Sequence, residues 1–178
     1  MTPEQVILWQ KIRYLPIDDP KSALPFSARL ARDNGWELDF ALRAIDEYKK
    51  FILLAATLPH PVTPSDQVDQ VWHLHLLYTR SYWDELCQKI LQKPLHHDPT
   101  RGGSGERGKF RHWYDYTLES YRQVFGAPPS QDIWPPAEIR FGLINFIRVN
   151  TDTHWVIPKS GWWLLIKNQL KRLCPPHL

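Results

Sequence analysis

The sequence predicts a mainly α fold, a helical bundle-like single domain with a C-terminal β-hairpin and a terminal amphipathic helix. Three observations predict it. Apolar residues recur at three- and four-residue spacing over long stretches between residues 37 and 125. Prolines and glycines bound those stretches where helices start and stop. Only the region after Pro136 carries a β-like pattern. With 178 residues, 43% of them hydrophobic, the chain can bury a real core, and its 9 Trp argue against disorder.

The elements follow in order. Thr2 caps a helix with Pro3 at its first position and Gln5 reaching back, and this helix runs to about Tyr14. Pro16, Pro20 and Pro25 break the chain. A short helix from about Ser27 to Asn34 ends at Gly35. Glu37 to Leu58 is a long helix, with Phe40, Ala44, Tyr48, Phe51 and Ala55 on its apolar side. After Pro59 and Pro61, Thr63 caps a central helix with Pro64 at its first position and Asp66 in its first turn. That helix is expected to continue to about Leu91, where Lys93-Pro94 ends it. Thr100 to Gly108, with four glycines, reads as a flexible loop. Lys109 to Phe125 is a further helix closed by Gly126, and Pro128 to Pro136 is extended or turn-like. Ile139–Val149 and Trp155–Ile157 form the two sides of the hairpin, around the turn cluster Asn150-Thr151-Asp152-Thr153. Gly161 to Leu173 closes the chain as a helix. The organisation is thus 1–136, a helical domain carrying the histidines, and 137–178, a hairpin plus a basic amphipathic helix.

Composition narrows the function classes. A net charge of +3 with no arginine-rich run gives no specific nucleic-acid signal. No stretch reaches the roughly 18 apolar residues of a membrane span, and no basic segment followed by an apolar run opens the chain. The two cysteines, Cys87 and Cys174, form no CxxC and no disulfide framework. A cytoplasmic protein is expected, with a peripheral membrane position left open by its tail. No Gly-rich phosphate loop, GxSxG elbow or HExxH is present.

The chemistry concentrates between Asp69 and Asp98, where four of the 8 histidines lie. On a helix that advances about 100° per residue, Asp69 and His73 share a face, whereas His73 and His75 stand roughly 200° apart. His73 and His75 therefore cannot bind one ion on a regular helix. His75 falls within the apolar side and reads as a buried histidine in need of polar partners. Asp69, His73 and one of His96 or His97 would make a two-histidine, one-carboxylate site for a divalent metal, zinc or iron. His96 and His97 reach His73 only if the central helix breaks early, near Ser81 or Cys87. If the site is catalytic, metal-assisted hydrolysis or non-haem iron oxidation are the classes to test. Whether the protein is an enzyme is left open. The bland reading is that these histidines cap helix ends and satisfy buried atoms. Cys87 lies on the Asp69 face but reads as an inert buried thiol, and Trp113, Tyr114, Tyr116 and Tyr121 read as core and rim packing.

The tail suggests a rival function. Trp162, Trp163, Ile166, Leu170 and Leu173 fall on one helical face, with Lys167, Lys171 and Arg172 opposite. Residues 159–173 could then dock a protein or an anionic membrane surface, with Trp162 and Trp163 as anchors.

The run Val68-Asp69-Gln70-Val71-Trp72-His73-Leu74-His75-Leu76-Leu77, with Thr79, Tyr82, Cys87 and Leu95-His96-His97, resembles the domain of the glycine-rich domain-containing protein family, found in plants, fungi and bacteria. Phe125-Gly126 and Ile133-Trp134-Pro135 resemble bacterial members. The resemblance covers roughly residues 40 to 136. It implies a domain type rather than an activity, with plant members linked to development and stress responses. Beyond Gly102 to Gly108 this chain carries no glycine-rich segment, and from Ala137 onward it lies outside the match.

Overall fold

The computed structural model of the chain describes residues 1–98, 104–142, 149–150 and 152–156, with the backbone alone for 104–107. By compactness the chain divides into Met1–Leu143 and Ile144–Leu178. Among the described residues the first unit is helical throughout: α1 (Pro3–Arg13), α2 (Phe26–Asn34), α3 (Leu38–Thr57), α4 (Asp66–Leu77), a π-helix π1 (Arg80–Leu91), α5 (Ser104–Phe125) and α6 (Ala137–Arg140).

The hub is α3, against which α1, α2, α4 and α5 all pack. Its Ala44, Tyr48 and Phe51 are fully buried, and Ile52, Leu53 and Leu54 with them. Phe40 and Ala55 are only partly covered, at the ends of the same stripe. Burial of side chains of this size contributes roughly 1.5–3 kcal/mol each, so α3 rests on packing rather than on caps. It has no side-chain cap at its N-terminus. α1, by contrast, is closed by a full capping box, with Gln5 N donating to Thr2 Oγ1 at 3.2 Å and Thr2 N to Gln5 Oε1 at 2.9 Å. α2 ends at Gly35, whose φ of 66° is left-handed and suits glycine.

Inside this bundle the carboxylate of Glu47 is nearly buried and ties three elements together. Its Oε1 accepts from Lys50 Nζ at 2.7 Å and Tyr121 Oη at 3.1 Å, and its Oε2 accepts from Trp134 Nε1 at 2.9 Å. A buried carboxylate needs partners of this kind.

Four expectations are corrected. The central helix does not run unbroken from Pro64 to Leu91. It begins at Asp66, because Ser65 rather than Thr63 supplies the cap, accepting from Val68 N at 3.1 Å, while the Thr63 amide is taken by Thr117 Oγ1. It stops at Leu77, where Tyr78 leaves helical geometry (φ −88°, ψ 62°). The chain resumes as π1, a wider winding that is uncommon at this length. Second, α5 starts at Ser104, inside the stretch read as a loop. Glycine costs a helix only about 1 kcal/mol against alanine, and the packing of Tyr114, Thr117 and Tyr121 further along holds the helix. Third, the β-hairpin is not found, and no strand occurs among the described residues. Ala137–Arg140 is a helical turn started by Pro136, with Ile139 N and Arg140 N both donating to the Pro136 carbonyl. A strand there would alternate burial, yet Ala137 is buried, Ile139 is exposed and Arg140 is held against α4. Fourth, the other side of the hairpin fails as well. In the second unit Asp152–Thr153 form a turn, and Trp155 and Val156 are exposed without strand pairing. The expected terminal helix, with Trp162, Trp163, Lys167, Lys171 and Arg172, lies outside the described residues, as does Cys174.

Candidate metal centre

Asp69 and His73 lie one helical turn apart on α4, at the rim of its buried side. The third group arrives by chain reversal. π1 ends at Gln92 in a left-handed conformation (φ 56°), and Lys93 N donates back to the Cys87 carbonyl. Residues 94–98 then run without regular structure back to α4. Tyr82, fully buried, fixes that path. Its hydroxyl accepts from Trp72 Nε1 at 2.9 Å and donates to the Leu95 carbonyl, so one phenol joins α4, π1 and the returning segment. Burial pushes the Tyr82 phenol pKa well above its ordinary value and keeps it a neutral donor.

The outcome is a cluster in which Asp69, His73 and His97 each offer a ligand atom within 4.8 Å of the others. His97 Nε2 lies 2.9 Å from Asp69 Oδ1. The His97 ring is flanked by His73, stacked at 4.7 Å and 9°, and by Trp72 at 4.2 Å. Asp69 and His97 are each 17% exposed in their side chains, and His73 is exposed, so the cluster is a partly covered edge. Arg140 closes one side. Its Nε donates to the Pro64 carbonyl at 3.2 Å, and its terminal nitrogens lie 3.8 Å from Asp69 Oδ2 and 3.7 Å from Asp66 Oδ1.

Of the two alternatives at 96–97, only His97 joins. His96 is exposed and packs its ring on Trp83 at 5.9 Å. The two neighbouring rings meet different partners, His96 against Trp83 and His97 between Trp72 and His73. The break that permits the meeting falls at Tyr78, a few residues before Ser81.

His75 plays no part in this cluster. It is fully buried, its Nδ1 2.9 Å from Tyr48 Oη and its Nε2 2.9 Å from Ser81 Oγ, with Phe26, Tyr48 and Tyr82 set edge-on around the ring. Burial, with the Lys49 charge as a lesser cause, lowers its pKa to about 4, so the ring is neutral. Cys87 is buried too, and burial raises its thiol pKa. A cleft of about 700 Å³ opens at the α4–π1 junction, lined by Phe26, Tyr78, Arg80 and Ser81 among others, and Asp69, His73 and His97 are not in its walls.

Sequence reasoning missed Arg140 and the role of Tyr82. Nothing in the pattern around Arg140 signals a link to α4. The signal for Tyr82 was its place among the residues that carry the resemblance, which says nothing of the carbonyl it would hold. Trp113 and Tyr116 form an outer aromatic group with His60 and His112, while Tyr114 and Tyr121 are core residues.

Residues 37–117 match the profile of the UCP032817-like family. The chain is 28% identical over 120 residues to Glycine-rich domain-containing protein 1 of Arabidopsis thaliana, covering 65% of this chain and 14% of that protein. It is 26% identical over 111 residues to Glycine-rich domain-containing protein 2 of the same plant, covering 60% of this chain and 14% of that protein. The chain therefore spans a small part of the length of these relatives. No solved structure matches it significantly. The matched segment holds α3, α4, π1 and the start of α5, with Asp69, His73 and His97 inside it, and over this stretch the chain is similar to the glycine-rich domain-containing proteins.

Proposed function

We propose that this domain binds a divalent transition metal, zinc or iron, through Asp69, His73 and His97. The observation that carries the reading is the meeting of one carboxylate and two imidazoles within 4.8 Å at a partly open edge. Ligand atoms at about 2.0–2.2 Å from an ion stand roughly 3–3.5 Å from one another, so small side-chain rotations close the set. Two histidines and one carboxylate suit zinc or ferrous iron and leave positions for water or a further ligand. Tyr82 and Trp72 support the reading as groups that fix the His97 segment, since the surroundings that orient ligands govern affinity as much as the ligands do.

The competing reading makes the Asp69–His97 bond a purely structural tie. His73 separates the two, because it makes no hydrogen bond among the described residues and a tie does not need it. Metal content of the untagged full-length chain, measured for wild type and His73→Ala, is the test. About one equivalent of zinc or iron, lost in the variant, is expected. Less than about a tenth of an equivalent, unchanged by the substitution, sinks the proposal.

A further inference from the structure

We infer that the Asp69, His73, His97 site takes a small carboxylate anion beside its metal, clamped by Arg140. This rests on the metal reading above. The motivating observation is the state of the Arg140 side chain. It is only 19% exposed, and a guanidinium carries five N–H donors in a rigid fork. Among the described residues only Nε has a hydrogen bond, to the Pro64 carbonyl. The terminal nitrogens stand 3.8 Å from Asp69 Oδ2 and 3.7 Å from Asp66 Oδ1, near enough for attraction and too far for hydrogen bonds. The fork is thus pinned at its stem, with unused donors at the edge of the cluster.

Charge points the same way. A divalent ion held by two neutral imidazoles and one carboxylate keeps one positive charge. Arg140 adds a second and Asp66 offsets one, so the loaded site remains positive by formal count. A metal with only three protein ligands also has positions to fill. An oxyanion that binds the ion with one oxygen and the Arg140 fork with the other meets both demands, and arginine recognises planar carboxylates in this paired geometry.

The test uses the full chain without a tag, loaded with cobalt(II), whose visible absorption reports ligation. Sodium acetate is titrated at constant ionic strength against sodium chloride. The wild type is expected to show a saturable spectral change with acetate and none with chloride. Arg140→Gln is expected to weaken the acetate response about tenfold while still binding cobalt through Asp69, His73 and His97. Arg140→Lys keeps the charge and loses the fork, so it should fall between the two, and it serves if Arg140→Gln proves unfolded by circular dichroism. Acetate that leaves the wild-type spectrum unchanged, or acts equally on wild type and Arg140→Lys, overturns the anion site and leaves the metal reading standing. Cobalt that fails to bind the wild type overturns both.

Discussion

His73 and His75 are separated by one residue on α4, and their surroundings share almost nothing. His75 points into the bundle, where both ring nitrogens have hydroxyl partners and aromatic edges surround the ring. His73 stands at the rim, exposed, touching the stacked ring of His97 and making no hydrogen bond among the described residues. The interior histidine is fully satisfied and has no position left for a ligand. The rim histidine is unsatisfied and belongs to a group with ligand atoms to offer. The same residue type thus serves the fold at one position and presents chemistry two positions earlier, and only the helical angle between them separates the roles.

The comparison is sharpest in its pH dependence. The pKa of His75 is lowered from 6.5 to about 4, so between those values the unfolded chain binds more protons than the folded one. Its share of stability is fully present above pH 6.5 and is lost as pH falls toward 4, by about 3 kcal/mol over the window. Urea unfolding from pH 7.5 to 4.5 should show this decline, and His75→Gln should flatten it. An equal slope in the variant would place the acid sensitivity elsewhere.

Next comes the cost of removing the interior histidine at neutral pH. His75→Leu strands the Tyr48 hydroxyl, which has no other hydrogen bond among the described residues. A loss of roughly 2–3 kcal/mol is expected, read from the denaturation midpoint, with metal affinity near wild type. A variant that keeps its stability but loses metal would reverse the assignment of the two histidines.

Tyr82→Phe tests the connection between the regions. It leaves Trp72 Nε1 without its acceptor and the Leu95 carbonyl without its donor, costing roughly 1–2 kcal/mol. Because Leu95 leads into His97, metal affinity should also fall about tenfold. Stability lost with metal affinity intact would mean that the segment is held by other contacts. The smallest stability effect belongs to His73→Ala, within about 0.5 kcal/mol of wild type, although the same change should abolish metal binding. A large loss of stability there would make His73 a structural residue after all.

Legibility differed with the range of the interaction. The capping box at Thr2, the left-handed Gly35 and the apolar stripe of α3 were readable because each depends on residues within a few positions of one another. The opposed faces of His73 and His75, and the burial of His75, followed from the same periodicity. The break at Tyr78 was not readable, because the run from Asp66 to Leu91 keeps helical apolar spacing throughout and no proline or glycine interrupts it. The hairpin was misread because β-branched and aromatic residues after Pro136 carry strand propensity, while the burial of Ala137 and the bond from Arg140 to the Pro64 carbonyl, both within the first unit, favoured a turn of helix.

By itself, the sequence determined that this chain is built from helices, where most of them begin and end, and that Asp69 and His73 share a face that His75 does not. Tertiary structure alone decided that His97 rather than His96 meets them, that Tyr82 holds the returning chain, and that Arg140 stands beside Asp69. Helix periodicity and capping are set by neighbours along the chain. The course of an irregular segment and the meeting of distant side chains depend on packing energies summed over the whole bundle, which no local pattern encodes.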